Sequence, residues 1–141
     1  MNKISFKLNK VENQSIVRDG ISFENIFYID AIVDGKSLFT IEEFKDSFIV
    51  YDELINSLTG RKKYLIFTCA CGIADDGGWE GVFITRNNSE INWDIPVNES
   101  QIHLTFNSSE YQSELASLKK EVEKIDSKLL EPKNIAFPEE W

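Results

Sequence analysis

Two cysteines and a single histidine are the side chains best suited to nucleophilic or metal chemistry in this chain of 141 residues. Cys69 and Cys71 stand two positions apart, and His103 follows further along the sequence. A thiol nucleophile needs a base beside it, and a catalytic zinc site needs three protein ligands and a bound water. One hypothesis is therefore a small thiol- or metal-dependent enzyme that uses Cys69, Cys71 and His103.

A structural role for the two cysteines is favoured over a catalytic or metal-binding role. A structural zinc site takes four ligands, usually Cys or His, and the chain offers three. His103 alternates with Ile102 and Leu104, which places it on the outer face of a predicted strand. Cα atoms two residues apart on a strand are separated by about 6.5–7 Å, at or beyond the usual reach of a disulfide. We therefore predict buried, reduced cysteines and no catalytic residue, no metal and no cofactor.

Acidic side chains form two groups that are candidates for binding a partner. One group follows a predicted hairpin and the other surrounds a Gly-Gly pair, and together they are Glu42, Glu43, Asp46, Asp75, Asp76 and Glu80. An oxygen-rich turn can hold Ca²⁺, but the second group lacks the spacing of an EF-hand loop. Neighbouring carboxylates can also serve acid–base chemistry, and a solvated turn without a binding role is the plainer alternative.

The formal net charge of −9 limits the kinds of partner that the chain can have. An acidic surface repels nucleic-acid phosphates and anionic lipid, so we expect neither nucleic-acid nor membrane binding. It would steer a basic protein toward the chain, although acidity can also serve solubility alone. The N-terminus lacks the apolar stretch of a signal peptide, and no run approaches the ~18 apolar residues of a membrane span. These features predict a cytoplasmic location.

Alternating and continuous apolar runs predict most of the chain to be β-structure. The expected elements are a strand at Ile4–Leu8, a hairpin of Phe27–Val33 and Lys36–Ile41 around Asp34-Gly35, a short helix at Tyr51–Leu58, a central strand at Tyr64–Cys71, a hairpin of Gly81–Arg86 and Glu90–Ile95, and a strand at Gln101–Asn107. The Asp-Gly pair favours a tight hairpin turn, and the continuous apolar run at Tyr64–Cys71 is typical of a strand covered on both faces.

A long helix is predicted between Ser109 and Leu130. Its apolar residues follow the 4-3-4-3-4 spacing of one helical stripe and are Tyr111, Leu115, Leu118, Val122, Ile125 and Leu129. Ser109 and Gln112 resemble a capping box, and Pro132 ends the pattern. We expect the stripe to cover the sheet, with a coiled-coil homodimer as the alternative. The tail, Asn134–Trp141, either folds back to bury an aromatic side chain or stays mobile.

These elements predict a single α+β domain over residues 1–141. In it, a mostly antiparallel sheet of about six or seven strands packs one face against the Ser109–Leu130 helix.

The segment from Phe67 to Trp93 resembles a group of small, uncharacterised bacterial proteins. The shared pattern is Phe67-Thr68-Cys69-Ala70-Cys71-Gly72, a Gly-rich turn, an apolar strand at Val82–Ile84 and a hairpin that returns to Trp93. Members look like stand-alone cytosolic α+β proteins, and some resemble the immunity proteins of bacterial toxin systems. Many have a third cysteine where this chain has Asp76-Gly77-Gly78. The resemblance therefore implies no metal site here, and it assigns no functional residue.

The function predicted from these features is a non-enzymatic protein-binding module. Common enzyme signatures such as the P-loop, G-x-S-x-G, H-E-x-x-H and G-x-G-x-x-G are absent from the sequence. Acidity, small size and the resemblance together suggest an immunity-type inhibitor of a basic toxin. A thiol- or metal-dependent enzyme and a homodimer formed through the long helix are the alternatives.

Overall fold

The computed structural model describes residues 1–74, 76 and 78–138, and within them it contains eleven β-strands and two α-helices. The strands are β1 (Ile4–Val11), β2 (Ile16–Arg18), β3 (Ile21–Phe23), β4 (Ile26–Val33), β5 (Lys36–Ser37), β6 (Ser47–Ile49), β7 (Lys63–Tyr64), β8 (Phe67–Cys69), β9 (Val82–Arg86), β10 (Glu90–Val97) and β11 (Ser100–Asn107). The helices are α1 (Tyr51–Asn56) and α2 (Ser108–Val122). The predicted α+β class, mostly antiparallel and with one long helix near the C-terminus, is confirmed.

The first sheet is built on a long pairing between β1 and β4. All eight residues of β1 pair with β4, from Ile4 opposite Val33 to Val11 opposite Ile26. The predicted turn at Asp34-Gly35 is confirmed, with φ of 53° and 83° at these residues. The second arm of this hairpin is shorter than expected, because the chain leaves β5 after Ser37 for a 3₁₀ turn at Leu38–Thr40.

The second sheet has the strand order β11-β10-β9-β7. Its β9–β10 hairpin is the one that the sequence predicts, and a further hairpin joins β10 to β11. Trp93 in the middle of β10 is fully buried and packs edge-on against Phe106, at 5.4 Å between ring centroids. Alternate residues of β10 are buried, as its period-two pattern indicates.

The prediction of one central strand at Tyr64–Cys71 was wrong. The run divides into β7, which pairs with β9, and β8, which pairs with β6 in a separate two-stranded sheet. Residues 64–69 are all buried, so the apolar run correctly indicated burial but not continuous pairing. For the same reason, the single six- or seven-stranded sheet is replaced by sheets of three, four, two and two strands.

Helix α2 covers the sheets with one apolar face. Tyr111, Leu115, Leu118 and Val122 are buried, and the helix contacts β1, β10 and β11. Four of the six residues of the predicted stripe are thus covered within one chain, whereas Ile125 is partly buried and Leu129 is exposed.

The predicted bounds of this helix, Ser109–Leu130, were wrong at both ends. The side chain of Asn107, and not Ser109, caps the first turn by accepting the backbone N–H of Glu110 at 3.0 Å. The helix ends at Val122, and the side chain of Asp126 then caps a separate 3₁₀ turn at Ser127–Leu129.

The segment after this turn folds back onto the body of the protein. Glu131 donates its backbone N–H to the carbonyl of Phe27 at 3.0 Å, and Ala136 donates to the carbonyl of Gly72 at 2.8 Å. Phe137 is nevertheless half exposed, and Trp141, the other aromatic of the predicted tail, lies outside the described residues. The tail therefore supports the loop that follows β8.

Candidate functional site

An acidic cleft of about 450 Å³ lies where four separate parts of the chain meet. Five carboxylates line it together with a thiol, an indole and an amide; these residues are Asp19, Glu42, Glu43, Asp46, Asp76, Cys69, Trp79 and Asn98. They come from the β2–β3 hairpin, the segment before β6, the end of β8 with the loop that follows it, and the β10–β11 turn. We refer to this feature as the acidic cleft.

The β2–β3 hairpin carries Asp19 into the cleft. Asp19 and Gly20 form its two-residue turn, with φ of 52° and 71°, between the paired residues Arg18 and Ile21. Asp and Gly tolerate this left-handed conformation, which is why Asp-Gly pairs favour such turns. The backbone N–H of Asp19 donates to Oδ1 of Asp46 at 2.9 Å. The hairpin tip is therefore held against a second carboxylate of the cleft.

A buried arginine fixes the base of this hairpin. Arg18 donates from Nη1 to the carbonyl oxygen of Ser47 at 2.5 Å. Its guanidinium carbon lies 4.0–5.0 Å from the ring centroids of three aromatic side chains, Phe39, Phe48 and Tyr28. Burial lowers the pKa of Arg18 below its usual value. A cation enclosed by aromatic faces and bonded to a carbonyl is a strong local anchor.

A tight turn after β8 brings the two cysteines together. Gly72, with φ of 90°, donates its backbone N–H to the carbonyl of Cys69 at 3.0 Å. Within this turn, the backbone N–H of Cys71 donates to Sγ of Cys69 at 3.4 Å. Cys69 is buried as predicted, but Cys71 is exposed, since the strand ends before it. Both thiols are free, in agreement with the prediction of no disulfide.

Each thiol donates a hydrogen bond to a different carboxylate. Sγ of Cys69 lies 3.3 Å from Oδ2 of Asp19, and Sγ of Cys71 lies 3.3 Å from Oδ2 of Asp76. One ligand atom from each of these four residues lies within 4.8 Å of the others. We call this set the thiol–carboxylate cluster. The search for a fourth ligand among Cys and His alone missed it, because Asp19 is fifty positions away in sequence from Cys69.

The cluster is a poor setting for a thiol nucleophile. Burial raises the pKa of Cys69 to about 12, so this thiol is protonated at neutral pH. His103 lies on β11, in a different sheet from β8. There its Nδ1 is 2.5 Å from Oδ1 of Asp94. The structure thus groups the thiols with Asp19 and Asp76 and not with the histidine of the enzyme hypothesis.

Four of the six predicted partner-binding residues line the acidic cleft. These are Glu42, Glu43, Asp46 and Asp76, which the sequence placed in two separate groups. Glu80 is exposed but is not among the residues lining the cleft, and Asp75 lies outside the described residues. Asp19 was missed, although the Asp-Gly signal that identified the turn at Asp34-Gly35 is also present at Asp19-Gly20.

Comparisons with protein-family models, with curated proteins and with solved structures returned no match. In the part of the chain that the structure describes, neither α-helix is long and apolar enough to cross a lipid bilayer. The acidic cleft, with its geometry and charge, is the feature of the molecule that bears on function.

Proposed function

We propose that this chain is a protein-binding module whose acidic cleft receives a basic segment of a partner protein. The observation that carries the proposal is the convergence of five carboxylates from separate segments on one concave surface. Carboxylates that repel each other in this way lower their energy when a cation enters between them. A Lys or Arg side chain presented by a partner supplies such a cation.

The charge of the cleft is only partly compensated within the described residues, where Asp46 interacts electrostatically with Arg18 and Lys45. Lys45 bridges Glu42 at 2.7 Å on the exposed surface, and this pairing raises the pKa of the lysine. Asp19, Glu43 and Asp46 form no salt bridge with any described lysine or arginine. With a net charge of −9, the molecule would also attract a basic partner from a distance.

Exposed apolar side chains on the same segments support a protein partner over a small cation. Val17, on the hairpin that carries Asp19, is 64% exposed, and Ile73, in the loop after the cysteines, is 51% exposed. Protein interfaces combine apolar contacts with charged groups that set orientation and association rate. Segments that carry both cleft residues and exposed apolar side chains fit this composition.

The specific form that we propose is an immunity-type inhibitor of a basic toxin. The small size, the acidity and the resemblance carried by the Phe67–Trp93 segment support this form. In such a complex, the cleft carboxylates would cover cationic residues that the toxin uses on its own target. The partner is then expected to be basic and to lose activity on binding.

Affinity capture followed by matched charge reversal tests the proposal. The immobilised chain is used to capture a partner, which is then purified and titrated by calorimetry against the wild type and two triple variants. Glu42→Lys, Glu43→Lys and Asp46→Lys together should weaken binding at least about a hundredfold, since truncating or reversing close interfacial charges costs several kcal/mol. The control variant changes the net charge by the same amount away from the cleft. It carries Glu114→Lys and Glu121→Lys on helix α2 and Glu123→Lys directly after it.

The control should bind within a few-fold of the wild type, because its substitutions lie away from the cleft. Capture of no basic partner, or equal loss in both triple variants, would contradict the proposal.

A further inference from the structure

We propose that Asp19, Cys69, Cys71 and Asp76 form a binding site for a thiophilic divalent cation of the Zn²⁺ type. This inference goes beyond the proposed function, because it concerns a ligand that the chain would bind without any partner protein. It depends on the positions of four side chains that the fold brings together from three segments.

The spacing of the thiol–carboxylate cluster is close to that of a tetrahedral zinc site. With Zn–S distances of about 2.3 Å and Zn–O distances of about 2.0–2.2 Å, neighbouring S and O ligands are about 3.5 Å apart and two sulfurs about 3.8 Å apart. The two hydrogen-bonded S···O pairs, Cys69–Asp19 and Cys71–Asp76, are each 3.3 Å apart, and one ligand atom from each of the four residues lies within 4.8 Å of the others. A cation could enter with side-chain movements of about 1 Å or less.

The composition of the cluster selects among metals. Two thiolates favour Zn²⁺ and similar soft or borderline cations, whereas Mg²⁺ and Ca²⁺ prefer sites made entirely of oxygen. Four ligands fill a tetrahedral coordination shell. The two positive charges of the cation replace the two protons that the thiols release to solvent, so the net charge of the cluster does not change. The other carboxylates of the acidic cleft raise the local concentration of cations.

Surrounding hydrogen bonds hold the ligands in place. The backbone N–H of Cys71 points to Sγ of Cys69 at 3.4 Å, an arrangement that would stabilise a thiolate. Asp46 ties the two main ligand segments together. Its Oδ1 accepts the N–H of Asp19 at 2.9 Å, and its carbonyl accepts the N–H of Ala70 at 3.3 Å. The positions of Asp19 and Cys69 are therefore fixed by backbone contacts that do not depend on the metal.

Cobalt substitution tests this site directly. The chain is kept reduced with a phosphine that does not compete for metal, and Co²⁺ is titrated while the absorption spectrum is recorded. We expect saturation at about one equivalent per chain, with a thiolate-to-cobalt charge-transfer band and the intense visible bands of tetrahedral Co²⁺. Added Zn²⁺ should displace the cobalt and remove both features.

Four single variants decide whether the cluster is the site. Cys71→Ser and Asp76→Asn change exposed residues, so they should fold as the wild type does and bind Zn²⁺ at least about a hundredfold more weakly. Glu43→Gln removes a cleft carboxylate that is outside the cluster, and His103→Ala removes the single histidine. Both controls should retain the tetrahedral spectrum and an affinity within a few-fold of the wild type.

Two results would overturn the inference. One is a wild-type spectrum without thiolate charge transfer at any Co²⁺ concentration, and the other is equal Zn²⁺ affinity in Cys71→Ser and the wild type. Because these titrations contain no partner protein, their outcome is independent of whether the acidic cleft binds a basic protein.

Discussion

Arg18 shows how one side chain can position a site that it does not touch. It is buried under the hairpin that ends in Asp19 and is bonded to the backbone of Ser47 at the start of β6. The two segments it joins each contribute carboxylates to the acidic cleft. A lone arginine in a polar stretch gives little indication of this role, because its aromatic neighbours come from three distant elements.

Replacing this arginine should destabilise the fold. Arg18→Met keeps the length of the side chain but removes the cation–aromatic contacts and leaves the carbonyl of Ser47 without this donor. We expect the free energy of unfolding to fall by about 2–4 kcal/mol. Urea unfolding followed by tryptophan fluorescence measures the change.

Lys119→Met, on the exposed side of α2, is the matched control and should stay within about 0.5 kcal/mol of the wild type. If Arg18→Met also stayed within that range, the anchoring role of the arginine would be disproved.

At the scale of elements, the turn after β8 determines where the thiols lie. The backbone N–H of Gly72 donates to Cys69 at the end of β8, and the carbonyl of Gly72 accepts the N–H of Ala136 in the C-terminal segment. A Cβ added at Gly72 would lie 3.0 Å from the backbone oxygen of Asn134, and the φ of 90° is one that other residues rarely adopt. This glycine is therefore required by both conformation and space.

Gly72→Ala should destabilise the protein by about 2 kcal/mol or more, because the left-handed backbone alone costs about 1–2 kcal/mol for a residue with a Cβ. Gly60→Ala is the natural control, since nothing lies within 4 Å of the Cβ it would add. Thermal or urea unfolding of both variants gives the comparison. Equal stabilities of the two variants would show that the turn does not constrain the chain at Gly72.

Elements with a clear hydrophobic periodicity could be predicted from the sequence, whereas the points at which strand pairing is interrupted could not. The alternation in β1 and β10 and the Asp-Gly turn at Asp34-Gly35 each reflect a local rule of side-chain direction or backbone conformation. The apolar run Tyr64–Cys71 indicates that these residues are buried. One long strand and two short strands would both bury them, so the run does not distinguish the two arrangements. Helix α2 ended early because Asp126 caps a new turn, a local competition that the apolar stripe does not reveal.

At the scale of the molecule, the acidic cleft could be predicted only in part. The acidic groups near residues 42–46 and near residue 76 were recognised as candidates, but nothing local in the sequence indicates that they face each other. The thiol–carboxylate cluster could not be predicted, since Asp19 is fifty positions from Cys69 in the sequence and the pattern of Cys and His residues does not include the two carboxylates. Long-range pairing of β6 with β8 brings these segments together.

The two proposals assign different carboxylates of the cleft to the metal and to the partner. Because Zn²⁺ would displace two thiol protons, it leaves the net charge of the cluster unchanged. With Zn²⁺ in the thiol–carboxylate cluster, Glu42, Glu43 and Asp46 would remain as the carboxylates that face a basic partner. Among them, Glu42 and Glu43 are the residues whose reversal tests partner binding without disturbing a metal ligand, because Asp46 accepts the backbone N–H of Asp19.

Hydrogen exchange of the chain alone and in complex with the basic protein that it captures shows whether the acidic cleft is the binding surface. We expect slower exchange in the complex at residues 16–23, 42–46 and 69–74, with little change along helix α2. Protection confined to helix α2, with unchanged exchange in those three cleft segments, would contradict this expectation.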